Sequence, residues 1–312
     1  MTAPSPTRTV ALGGGRVAAV DDVGDPAGVT VLYLHGTPDS RLARHPDDGL
    51  AAAAGVRLLA LDRPGYGGTS ASPGPLSPGW PAAVAADASA VLDDLGVERC
   101  AVLAWSGGAL TGLALAGGPA PGGPMSGRVA ALGIVAGVVP RQAFDHPEVA
   151  AAGEHRLGTI ELADAVPPGE LGAEVAPMLA PYPCDLVLAT EHQAAHRPAH
   201  DAAELAAVPG GGARMAEALV EAVRGGLVGV ATDVEAQARP LAVDPADVGC
   251  PVRLWYGSDD TVTPPAFGRW YASHLAGAEL AVVDGAGHYL AFTAWSKMLA
   301  ELAEVAQVAR RT

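Results

Sequence analysis

Short apolar runs that alternate with alanine- and leucine-rich stretches constrain this chain more than any other feature. Residues 29–34, 56–61, 99–105, 129–139, 252–256 and 279–283 read as buried strands; 41–54, 81–95, 107–117, 265–276 and 293–309 read as the helices that separate and follow them. A strand followed by such a helix rejoins the sheet in the same direction through a right-handed crossover. The fold class is therefore α/β, with a doubly wound, mostly parallel sheet. Two further runs, 8–12 and 16–20, flank Gly13-Gly14-Gly15 as an opening hairpin, which brings the sheet to eight strands.

The rhythm stops at Pro140. Residues 141–245 contain no comparable strand, only alanine-, glutamate- and proline-rich segments that read as short helices joined by loops. An insertion of that size between two sheet strands has the look of a cap. The expected organisation is a core of residues 1–140 and 246–312 with a helical cap over 141–245.

Chemistry concentrates where strands end. Ala104-Trp105-Ser106-Gly107-Gly108 lies between a buried strand and a helix, and small residues on both sides of a serine permit the tight turn of a nucleophile elbow, although Ala104 stands where glycine is usual. His35-Gly36-Thr37-Pro38 follows the 29–34 strand; backbone N–H groups of Thr37 and Gly107 are the candidate donors to an oxyanion. Asp259 and Asp260 follow 252–256, on the side where open α/β sheets bind ligands. Asp260, three residues after Gly257, is the chosen acid, and Asp259 reads as a solvated or capping residue. His288 follows Gly285-Ala286-Gly287 beyond the last strand, and an imidazole can take and return a proton near neutral pH.

The order Ser106, Asp260, His288, each on a loop after a strand, resembles the α/β-hydrolase fold superfamily, in its capped, esterase-like branch, over nearly the whole chain. The segment 61–70, LDRPGYGGTS, adds to the likeness and reads as loop architecture. The resemblance implies a serine hydrolase cleaving an ester-type bond, with Ser106 as nucleophile, His288 as general base, Asp260 as its orienting acid, and no cofactor. His35 and Tyr289 are candidate pocket residues, and Trp105 either lines the acyl pocket or packs beneath the elbow. Pro38 is shared with epoxide hydrolase and haloalkane dehalogenase branches, whose nucleophile is an aspartate; proline iminopeptidases carry different motifs at both loops. Carbon–carbon bond hydrolysis, lactone opening, perhydrolysis and a non-catalytic binding role stay open, since one site supports them all.

Composition narrows partners. Nineteen basic against 34 acidic residues leave a net charge of −15, which repels phosphate backbones and anionic lipid, so neither nucleic acid nor membrane is an expected partner. A cap poor in aromatic residues suggests a small or medium uncharged substrate. A homodimer stays open. Cys100, Cys184 and Cys250 are scattered and odd in number, so they read as buried hydrophobes. His192, His196 and His200 are spaced like zinc ligands on one helix, but Pro198 interrupts them and no metal is expected. The start has no apolar leader-like stretch and no run reaches roughly 18 apolar residues, so a soluble, cytoplasmic protein is expected.

Overall fold

The aliphatic runs assemble into one eight-stranded sheet. A computed structural model describes residues 7–72, 80–118, 123–179 and 185–309; Cys184 lies outside them. The strands are β1 (Thr7–Ala11), β2 (Val17–Gly24), β3 (Val29–Leu34), β4 (Val56–Leu61), β5 (Cys100–Trp105), β6 (Val129–Val135), β7 (Val252–Gly257) and β8 (Glu279–Val283), in the spatial order β1-β2-β4-β3-β5-β6-β7-β8. β1 and β2 form the expected hairpin, β2 pairs antiparallel with β4, and the other pairings are parallel. β3 and β5 are buried at every position because helices cover both faces, which explains why they show no apolar–polar alternation.

Around the sheet lie α1 (Gly49–Ala53), α2 (Trp80–Asp94) and α3 (Gly108–Gly117), then α4 (Pro147–Ala152), α5 (Leu157–Ala165), α6 (Leu171–Leu179), α7 (Leu186–His196), α8 (Ala199–Ala206), α9 (Gly211–Ala222) and α10 (Val228–Ala238). α11 (Pro265–His274), α12 (Leu290–Thr293) and α13 (Trp295–Val308) complete the order. Successive residues of β3 feed opposite layers. Leu32 and Leu34 pack with Val91 and Leu92 of α2 and Leu113 of α3, whereas Val31 and Tyr33 pack with Leu299 and Leu302 of α13. Between β6 and β7 every described element is helical, so the sheet carries an inserted helical cap.

Two expected elements differ. The helix expected over 41–54 survives only as α1, because Pro46 disfavours helical backbone at His45 and the arginines before it turn inward. Arg41 Nε donates to Asp21 Oδ1 at 3.0 Å and its Nη1 to Asp62 Oδ2 at 2.6 Å, while Arg44 Nη1 donates to Asp21 Oδ2 at 3.0 Å. The strand expected over 129–139 ends at Val135, since Ala136 adopts φ 44° and turns the chain out of the sheet.

The cap is anchored through a buried ion pair. Arg63, after β4, donates from Nη1 and Nη2 to the two carboxylate oxygens of Asp233 on α10, each at 2.5 Å. Tyr66 donates its hydroxyl to Asp233 Oδ2 at 2.6 Å, and Thr37 donates to the same oxygen. Removing one partner strands the other charge in the interior. Asp233→Ala is expected to cost about 3–5 kcal/mol in urea unfolding, whereas a change within about 0.5 kcal/mol would show that the pair contributes little.

Candidate active site

Ser106 follows β5 directly, in a backbone conformation that side chains rarely adopt, with φ 51°. Such a conformation persists only where the surroundings enforce it. Its N–H donates to Val135 O at 3.0 Å, and its carbonyl accepts from the N–H groups of Ala109 and Val138, each at 3.1 Å. Glycine follows for steric reasons. A β-carbon on Gly108 would lie 2.5 Å from Leu34 O, and one on Gly107 would lie 2.1 Å from Thr37 Oγ1. The turn after β5 is thus pressed against the loop after β3.

The hydroxyl so presented meets two side chains from the other end of the chain. His288 Nε2 lies 3.1 Å from Ser106 Oγ, and His288 Nδ1 lies 2.9 Å from Asp260 Oδ2. Asp260 Oδ1 accepts the N–H groups of Val262 and Thr263, both at 2.8 Å, which fixes the carboxylate on its loop. The Thr263 hydroxyl stands 2.8 Å from Asp260 Oδ2, 2.9 Å from Ala136 O and 3.1 Å from His288 Nδ1. Burial alone would raise the Asp260 pKa, but the His288 charge, its hydrogen bond and those from Thr263 hold it below the ordinary range. An ionised Asp260 accepts from Nδ1–H and leaves the Nε2 lone pair toward the serine hydroxyl. Burial pulls His288 down, yet the Asp260 charge and hydrogen bond, followed by the charges of Asp201 and Asp39, raise its pKa overall. Asp259 is exposed and accepts the Ser258 hydroxyl at 2.8 Å.

A sequence model of the alpha/beta hydrolase family matches residues 31–305. The chain belongs to that family. Solved structures agree in fold: an esterase from Rhodococcus sp. ECU1013 at 18% identity and TM-score 0.63, covering 96% of this chain and 98% of that one. An alpha/beta hydrolase fold protein from Nakamurella multipartita is 25% identical with TM-score 0.65 over 96% and 99% of the two chains. A bromoperoxidase from Bacillus anthracis is 17% identical with TM-score 0.66 over 97% and 99%. No curated protein matches the sequence.

In this hydrolase-family chain the two candidate oxyanion donors are oriented by their own peptides. The Gly36 carbonyl accepts from Arg63 Nη2 at 2.8 Å; the Thr37 N–H, on the opposite side of that planar unit, points away from Arg63. The Ser106 carbonyl is likewise occupied, which turns the Gly107 N–H the other way. Among the described residues neither N–H has a protein acceptor.

His35 corrects the expected pocket, and Trp105 takes the packing alternative rather than the pocket one. His35 is fully buried at 0% exposure: its Nδ1–H donates to Gly36 O at 2.8 Å and its Nε2 accepts the Arg63 N–H at 3.0 Å. Burial, with the Arg63 charge, keeps the ring neutral by pushing its pKa far down. Trp105, 1% exposed, packs behind the histidine loop and donates from Nε1 to His288 O at 3.1 Å. Both side chains brace the site from within. Tyr289 remains at its flank, its ring centroid 4.8 Å from Arg197 Cζ and 5.9 Å from the His288 ring.

The cap supplies groups that carry no sequence signal. Asp201 Oδ1 on α8 accepts the His288 N–H at 2.8 Å, and Glu204 accepts the N–H groups of Gly287 and Tyr289 at 2.9 and 3.0 Å. Two carboxylates one helical turn apart thereby hold the histidine loop. His192 and His196 stack on α7, while His200, beyond Pro198, turns to Asp201 Oδ1 at 3.2 Å. Among the described residues no three potential ligands gather as a metal site, and no helix is long and apolar enough to cross a membrane. Thr263 could have been read from its place three residues after Asp260, a spacing at which an aspartate commonly accepts local N–H groups.

Asp39 is the other unforeseen acid. Its carboxylate and Ser106 Cβ each lie 3.1 Å from where a Gly36 β-carbon would stand, so it borders the serine. Burial lifts its pKa from 3.8 to about 7, against the pull of His288, Arg63 and Arg197. The native carboxyl therefore keeps its proton over a range where the unfolded one has lost it, and stability falls as pH rises from 3.8 toward 7. Asp39→Asn should raise the melting temperature more at about pH 8 than at about pH 5. An equal shift at both would mean that Asp39 titrates normally.

Proposed function

We propose that this protein is a serine hydrolase that cleaves a carboxylic ester-type bond of a small or medium-sized substrate through an acyl-enzyme on Ser106. The observation that carries the reading is the continuous hydrogen-bonded run from Ser106 through His288 to Asp260, with the serine held at φ 51°. Ser106 Oγ attacks the carbonyl carbon and its proton passes to His288 Nε2. The carbonyl oxygen becomes an oxyanion that receives the Thr37 and Gly107 N–H groups. Collapse breaks the ester bond, and His288 returns the proton to the departing alcohol. Water then attacks the acyl group, gives its proton to His288, and releases the acid and the serine. Asp260 stays ionised throughout and stabilises the imidazolium. Residues 1–140 and 246–312 serve as the hydrolase core and 141–245 as the cap that sets access.

A fluorophosphonate probe should label the wild type and fail to label Ser106→Ala or His288→Ala. Turnover of a chain-length series of p-nitrophenyl esters should fall by roughly 10⁴-fold or more in both. Labelling that survives in Ser106→Ala would overturn the assignment of the nucleophile.

The raised pKa of His288 gives the reaction a pH signature. Since only the neutral ring accepts the serine proton, kcat/KM should fall on the acid side with a midpoint above the ordinary 6.5. Asp201→Asn, which removes one of the charges favouring the imidazolium, should move that midpoint down. A midpoint unmoved by Asp201→Asn would mean that α8 holds the loop without influencing its histidine.

A further inference from the structure

Charged side chains drawn into the cap are mostly paired: Asp233 with Arg63, Glu235 with Arg239, Asp201 with the His288 N–H. Arg156 differs. It ends the short turn Glu154–Arg156 ahead of α5, and among the described residues it forms no ion pair. Its one side-chain hydrogen bond runs from Nη2 to the neutral Gln237 Oε1, at 2.9 Å, and the Phe144 ring lies 5.9 Å from its Cζ. Burial draws its pKa down to about 10, against an upward pull from the Tyr271 phenol. The guanidinium is partly buried, so it is partly shielded from water while having no ion-pair partner among the described residues.

Its position explains what could supply that charge. Gln237 Nε2 donates to Thr37 Oγ1 at 3.2 Å and lies 3.0 Å from where a Gly107 β-carbon would stand, so Arg156 is one side chain removed from both candidate oxyanion donors. Tyr271, on its other side, donates to Val138 O at 2.6 Å, and the Val138 N–H donates to Ser106 O. His155, the preceding residue, is within electrostatic reach of Asp260. The guanidinium is thus linked through Gln237 to the loop that carries Thr37, one of the two candidate oxyanion donors.

We propose that Arg156 binds a carboxylate carried by the substrate, so that the preferred substrates are esters whose acyl part ends in a free carboxylate, such as half-esters of short dicarboxylic acids. The proposal rests on the reading of Ser106 as nucleophile, and it replaces the uncharged substrate expected from the composition of the cap. A planar guanidinium matches a carboxylate with two parallel N–H bonds, a fit that a neutral ester of equal length cannot make. Because the molecule as a whole is strongly acidic, with a net charge of −15, long-range attraction does not favour such a substrate. Selection comes from contact with Arg156.

The test compares monomethyl succinate, glutarate and adipate with methyl butyrate, valerate and hexanoate, each followed by acid release in a pH-stat. Wild type should favour the half-esters in kcat/KM by about tenfold or more, chiefly through KM. Arg156→Gln should abolish that preference, and Arg156→Lys should retain part of it. Turnover of neutral esters with no preference for half-esters, or a preference that survives in Arg156→Gln, would overturn the proposal while leaving the serine-hydrolase reading intact. Glutarate binding is measured in parallel by calorimetry in Ser106→Ala, alone and with Arg156→Gln. Binding weakened about tenfold or more by the second substitution supports the carboxylate site even if no ester is turned over; no binding to Ser106→Ala overturns it. Absence of both turnover and fluorophosphonate labelling would instead remove the serine-hydrolase reading.

Discussion

The buried pair between Arg63 and Asp233 joins three distant parts of the chain. Taking both ions out of water is tolerable only when each donor and acceptor is satisfied. Arg63 meets that condition by adding His35 O and Gly36 O to the two oxygens of Asp233, and Asp233 adds the hydroxyls of Tyr66 and Thr37. The same bonds that neutralise the pair orient the loop after β3. With the Gly36 carbonyl drawn to Arg63, the next N–H faces away from it, and the cap helix α10 is secured by the same contact.

Close approach of backbones does the rest of the positioning. The elbow after β5 and the loop after β3 meet at glycines where a β-carbon would collide with a carbonyl or a hydroxyl. Small side chains therefore serve geometry here, not packing alone, and the strained Ser106 is held by the hydrogen bond its N–H donates to β6 and by one it accepts from the segment that follows β6.

Electrostatics around His288 are more crowded than a three-residue description allows. Asp260 dominates, yet Asp201 from the cap and Asp39 beside the serine also favour the imidazolium. Asp201 and Glu204 additionally hold the backbone of residues 287–289, so α8 touches the histidine loop by both charge and hydrogen bond. Cap and site are one electrostatic unit. Any displacement of α8 would alter the loop that carries His288.

Periodicity and strand-end motifs were enough to derive the α/β class, the eight strands and the helical insertion, because a parallel sheet covered on both faces demands uniformly apolar strands separated by crossover helices. They also singled out Ser106, Asp260 and His288, since each follows a strand and local chain direction alone sends such loops to one edge of the sheet. Local pattern misjudged 41–54, where Arg41 and Arg44 satisfy Asp21 and Asp62 across the fold, it took His35 for a pocket residue when that ring is consumed by internal hydrogen bonds, and it left open whether Trp105 lines the pocket or packs. Asp39, Arg156, Asp201, Glu204 and Asp233 have no spacing that marks them. Their partners lie far along the chain, and a charge inside a protein takes its meaning from the groups around it, which only the tertiary structure brings near.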